Sequence, residues 1–127
     1  MGMQRIHPSP LLFVCTLLGV LLSVMAGCQK DTRPKSDAEL GLTPQQARGR
    51  RVYDAHCLVC HEAYSGDEQR GPTLMGMYKK RQLPSGAPAN DERVRDAIVA
   101  GRAKMPGYSN LLTAQQVDDL IAYMHTL

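Results

Sequence analysis

From residue 28 to residue 127 the chain contains no Trp and no Phe, and Leu, Ile and Val supply only 16 of those 100 residues. Chains with less than about 20% of such residues cannot bury enough apolar surface to offset the entropy of ordering the backbone. A folded domain made from this stretch therefore needs something besides its own side chains to fill its core.

The boundary at residue 28 comes from the first 27 residues. One basic residue, Arg5, precedes an apolar run from Leu11 to Met25, "LLFVCTLLGVLLSVM". A run of this length falls short of the roughly 20 residues that span a bilayer, so residues 1–27 read as an export signal rather than a permanent anchor. The run ends in "VMAGCQK", where Ala26 and Gly27 before Cys28 resemble a bacterial lipobox. This predicts lipidation of Cys28, a polar tether over residues 28–42, and one domain over 43–127. The tether segment "QKDTRPKSDAELG" has no apolar face, and such a coil has a reach of roughly 20 Å.

Charge excludes little except a polyelectrolyte partner. The whole chain has 15 Lys and Arg against 12 Asp and Glu, which gives no reason to expect nucleic acid binding. Cysteine usage is more informative. With Cys15 in the signal and Cys28 a lipid site, Cys57 and Cys60 alone remain, and no disulfide framework can be built from them.

Those two cysteines lie in "HCLVCH", residues 56–61. Three chemistries compete for such a cluster. A structural zinc site takes ligand pairs separated by a dozen or more residues, and outside the cluster only His125 could complete one. A dithiol redox motif belongs to a strand–turn–helix context, whereas the flanks here read as helix. In the third reading, cysteines three apart on one helical turn reach the two vinyl groups on one porphyrin edge, and His61 lies over the iron on the same side. Covalent haem would also supply the missing core. Haem c bound through Cys57, Cys60 and His61 is therefore the favoured reading.

A six-coordinate iron then needs a second distant ligand, from Met75, Met77, Met105, Met124, His56 or His125. Met124 continues the spacing Val117, Leu120, Ile121, Met124 and reads as the core face of a helix. Met75 and Met77 follow "RGPTL" and read equally as packing or as ligands. Met105 stands between Gly101 and the pair Pro106–Gly107, where no helix continues, so a loop offers it. Met105 is the expected ligand.

These segments resemble the class I c-type cytochromes, small bacterial monohaem members with a lipoprotein signal, over about residues 43–127. "CLVCH" is similar to the attachment site. "GPTLMG" resembles the loop whose proline carbonyl orients the axial histidine, a role that falls on Pro72. "AIVAGRAKMPGY" resembles the helix and distal-methionine loop. Gly49 and Tyr53 with Leu120 and Tyr123 resemble the crossing of the first and last helices. The missing Trp leaves open whether Tyr78 or an arginine meets a haem propionate.

The resemblance implies an all-α fold, three to five helices around one covalent haem, and local signals agree. "LTPQQ" at 42–46 and "LTAQQ" at 112–116 each place Thr at an N-cap with Gln three residues on, the capping-box pattern. A further helix is predicted to start at Asn90 or Asp91, turn Val94, Ile98 and Val99 inward and stop at Gly101. "LPSGAPAN" reads as loop.

Two axial ligands leave iron no open position, so the function expected is outer-sphere electron transfer, not catalysis. The expected protein is a monomer on the outward-facing, periplasmic side of a membrane, tethered through Cys28 and exchanging electrons with protein donors and acceptors. Lys79, Lys80, Arg81, Arg102 and Lys104 read either as solvated surface or as a docking ring. A labile sixth ligand would instead make a peroxidase or gas sensor, and a fixed position in a larger complex would make an oxidoreductase subunit.

Overall fold

A computed structural model describes residues 34–127. The signal over residues 1–27 and the lipid site at Cys28 lie outside the described residues. Within them the fold is all-α: α1 spans Pro44–His56, α2 Asp91–Ala100 and α3 Ala114–Met124, with a 3-10 turn at Met77–Lys79 and no strand among the described residues.

Each helix starts where a side chain satisfies its first free amides. Thr43 and Gln46 form a full capping box on α1, with Pro44 in the first turn, and Thr113 and Gln116 form another on α3. Asn90 accepts from the Arg93 amide at the start of α2, while Gly101 ends that helix at φ 76°.

The core lies where α1 and α3 cross. Val117, Leu120, Ile121 and Met124 are buried along α3, as their spacing predicts, and Tyr53 and Tyr123 are buried between the helices with ring centroids 5.5 Å apart. Gly49 makes this approach possible, because a Cβ there would sit 1.9 Å from the Asp119 carbonyl oxygen. At the seam's edge Asp119 is buried, and Arg48 grips it through Nε at 2.7 Å and Nη2 at 3.1 Å, assisted by Gln115 at 3.0 Å. The bonds from Arg48 hold the Asp119 carboxyl below the usual carboxylate range against the opposing effect of burial.

α2 is held to α3 by Val94 and Ile98 on its buried face and by an Arg95–Asp118 ion pair. Val99, expected inward, is only partly buried against the core.

Residues 36–42, read from sequence as the end of a tether, form a turn instead. The Leu40 amide donates to Ser36 O at 3.1 Å, the Leu42 amide to Asp37 O at 3.0 Å, and Glu39 accepts from the Ser36 amide at 2.8 Å. Arg50 on α1 holds the turn through Asp37 at 2.8 Å, and Leu42 packs against the core. The segment's polarity concealed this because its anchors lie outside it.

Candidate haem site

The last turn of α1 runs directly into the cysteine motif. The amides of Cys60 and His61 both donate to the Cys57 carbonyl, at 3.0 and 2.9 Å, so the motif continues the helical winding for one more turn. That winding brings Cys57 and Cys60 to one side as two free thiols. Cys57 is buried, and burial, reinforced by Cys60 nearby, pushes its thiol up to about 11.

The chain then doubles back. Gly71 N donates to Cys60 O at 2.8 Å and Leu74 N to Glu62 O at 2.7 Å, which lays residues 71–74 alongside 60–62. This return brings Pro72 to His61, whose Nδ1 lies 2.8 Å from the Pro72 carbonyl oxygen. A carbonyl can only accept, so Nδ1 carries the proton and Nε2 keeps its lone pair for a metal. Gly71 lies against the same ring: a Cβ at that position would meet His61 Cε1 at 2.5 Å. A further bond comes from α1, where the Tyr53 hydroxyl donates to the His61 carbonyl at 2.5 Å.

Met105 lies in a tight reversal after α2, where the amides of Arg102 and Met105 each donate to the other's carbonyl at 3.0 and 2.9 Å. The reversal puts Ala103 at φ 52°, in the left-handed region. A Cβ on Gly101 would meet Gly107 N at 2.6 Å, and one on Gly107 would meet Val99 O at 2.8 Å, so the loop lies flat on the end of α2. Tyr108 N donates to Ile98 O at 3.0 Å, and the Tyr108 hydroxyl crosses to the His56 carbonyl at 3.0 Å. That last bond ties the methionine loop to the end of α1, next to Cys57. Met105 itself packs, partly buried, against the core.

The rival ligands are placed otherwise. Met77 and Met124 are buried in the core, and Met75 is exposed. His125 pairs with Asp91 at 2.7 Å and stacks on Tyr78 with centroids 3.8 Å apart, while His56 meets Tyr108 edge-on. Tyr78, a candidate propionate partner in the sequence, thus has its ring face on His125, and its hydroxyl is buried near Asp91. Among the described residues, no three or more His, Cys, Asp or Glu side chains gather as a metal-holding group. Gly71 and Tyr53 are the residues that sequence reasoning did not assign to the site. Gly71 stands beside Pro72 in the quoted loop, so its signal was present; the Tyr53 bond had none.

Two free thiols one turn apart, a histidine with its Nε2 kept free and a glycine cradling that ring fit covalent haem on an all-helical frame, which defines a c-type cytochrome. Known proteins agree. A family described as "Cytochrome C oxidase, cbb3-type, subunit III" matches residues 44–124. The chain is 28% identical over 83 residues to a cytochrome c6 from Rippkaea orientalis (strain PCC 8801 / RF-1), covering 65% of this chain and 71% of that protein. It is also 28% identical over 109 residues to a cytochrome c-553-like protein from Synechocystis sp. (strain ATCC 27184 / PCC 6803 / Kazusa), covering 85% and 93%. The chain belongs to the matched cytochrome family and is a class I c-type cytochrome. Its cofactor is haem c, and it is a haem-based electron carrier.

Proposed function

We propose that the protein carries one electron at a time on a haem attached through Cys57 and Cys60 and ligated axially by His61 and Met105. The haem, when bound, supplies a one-electron iron couple; the chain's own residues fix that couple's surroundings. Pro72 accepts from Nδ1 and holds the imidazole in the tautomer that leaves Nε2 available, and this hydrogen bond, at 2.8 Å, is the observation that carries the reading. Gly71 sets the plane of the ring. Met105 offers a soft thioether from a loop bound at both of its ends, and a thioether favours ferrous over ferric iron.

The carrier is exported and works on the outward-facing side of a membrane, held there by a lipid on Cys28, and exchanges electrons with protein partners. Lys79, Lys80 and Arg81 are exposed or nearly so, as are Arg102 and Lys104 beside the methionine loop. They form a basic surface for an acidic partner, so rates of electron exchange fall with ionic strength. A rate independent of salt removes that surface from the reading. The family's description, which names an oxidase subunit, favours a second reading in which the same domain is a fixed member of a larger complex; co-purification from native membranes decides between them.

The ligand assignment is tested by spectra of matured protein before and after acid–organic extraction. Haem that stays with the polypeptide, together with a weak long-wavelength band of methionine sulfur on ferric iron, is the expected result. Met105→His lowers the midpoint potential; an unchanged midpoint removes Met105 as the ligand, and a five-coordinate spectrum in the wild type would point to a peroxidase or gas sensor.

A further inference from the structure

We propose that Tyr53 is a positioning residue for His61, and that the crossing of α1 and α3 sets the orientation of the axial histidine through it. The inference rests on the reading of His61 as an iron ligand.

Several carbonyls in and just after the cysteine motif accept from backbone amides. Cys57 O accepts from two amides of its own turn, Cys60 O from Gly71 N, and Glu62 O from Leu74 N. The His61 carbonyl is different, because its donor is a side chain from another element, the Tyr53 hydroxyl. Three residues on, the Tyr64 hydroxyl lies 2.5 Å from the Tyr123 hydroxyl on α3. The segment from His61 to Tyr64 is thus suspended by two phenols, one from each of the crossing helices. Tyr53 and Tyr123 also pack ring on ring, and both are buried, so neither phenol can swing away without opening the crossing.

On the imidazole side the ring is held by Pro72 and Gly71. On the backbone side the peptide is held by Tyr53. Loss of the hydroxyl leaves a carbonyl without its partner and frees the His61 peptide to rotate, and the imidazole turns with it. Tyr53→Phe keeps the aromatic ring that packs on Tyr123, so it separates this role from core packing.

The test uses holoprotein. In the wild type the His61 ring protons resonate at iron-shifted positions; if they do not, the reading of His61 as ligand fails and takes the inference with it. With that established, Tyr53→Phe displaces those resonances and shifts the midpoint potential. Val94→Ala, on the buried face of α2, lowers the melting temperature while both readouts stay at wild-type values. Tyr64→Phe, at a half-exposed position that tolerates change, moves both readouts in the same direction by a smaller amount and serves if Tyr53→Phe does not fold. Resonances and midpoint at wild-type values in the tyrosine variants, even with a lowered melting temperature, overturn the proposal.

Discussion

Gly49→Ala is the sharpest test of how this domain holds together. In an exposed helix interior the substitution stabilises by about 1 kcal/mol, because alanine has the better helix propensity. Here the new Cβ would lie 1.9 Å from the Asp119 carbonyl oxygen, 2.5 Å from its carbonyl carbon and 2.9 Å from Tyr123 Cβ. Two of those three atoms are backbone, so no side-chain rotation relieves the contact. Restoring an ordinary separation of about 3.4 Å requires α1 and α3 to part by about 1.5 Å. A gap of 0.5 to 1 Å already forfeits roughly a quarter to a half of the dispersion attraction across a packed face, and Val52, Tyr53, Leu120 and Tyr123 are all buried in this region. Overpacking of this kind costs about 1–3 kcal/mol, and the parted seam also strains the bonds from Arg48 to Asp119. Set against the propensity gain of about 1 kcal/mol, a net loss of about 1 kcal/mol is expected, which lowers the melting temperature by about 4–8 °C for a domain of this size. Thermal unfolding of the holoprotein followed by circular dichroism measures it. Gly66→Ala is the control, since its Cβ would meet nothing nearer than Met75 Cε at 3.7 Å, and its effect is expected within about 1 kcal/mol. A Gly49→Ala variant as stable as the wild type, or more so, would refute the close crossing.

Three further outcomes follow from the same contacts. The Asp119 carboxyl is depressed by its bonds from Arg48, so folding favours its ionised form. Its contribution is present above the unfolded carboxylate value of about 3.9 and is lost as pH falls through the lower folded value. The gap in melting temperature between wild type and Asp119→Asn should therefore narrow below about pH 4, and a gap constant from pH 7 to pH 3 contradicts the pairing. Gly71→Ala puts a methyl 2.5 Å from His61 Cε1, which should displace the imidazole from Pro72, cost about 1–3 kcal/mol of stability and shift the midpoint; an unmoved midpoint with normal haem content argues against the cradle. Replacing Cys57 and Cys60 together by Ser should leave haem-free chain largely unfolded, given the 16 large aliphatic residues in its last 100, and native-like circular dichroism of that variant would contradict the view that haem completes the core.

What the sequence made legible was local. The two capping boxes, the Asn90 cap, the stop at Gly101 and the α3 stripe from Val117 to Met124 each depend on residues within about a turn of one another, and all appear where their spacing places them. The motif around Cys57, Cys60 and His61 was legible from its own spacing, while its pairing with Pro72 was legible only through family resemblance, since the ten intervening residues carry no periodic signal of their own. Other features depend on partners far along the chain. Asp119 sits in "VDDL" as if on a solvated face, yet it is buried because Arg48, 71 residues away, meets it. The turn at 36–42 looked like tether because its hold, Arg50, lies on α1. Tyr78 has its ring on His125 for the same reason: nothing near either residue announces the stack.

The long-range contacts share one anchor. His61 follows α1 directly and is tied back to it by Tyr53, while the Met105 loop reaches the same helix through Tyr108 and the carbonyl of His56. Both expected ligands are therefore referenced to the C-terminal half of α1, and α1 is fixed against α3 by the approach at Gly49. A carrier exchanges electrons fastest when its ligands stand in nearly the same place in both oxidation states, which demands supports that do not shift with iron charge. Buried phenols meet that demand well: they remain neutral donors across the physiological range, with burial pushing the Tyr53 and Tyr123 phenols further up. The tyrosines that stand where Trp and Phe are missing after residue 28 thus fill the core and, by their hydroxyls, tie the helix crossing to the segments that hold both expected ligands.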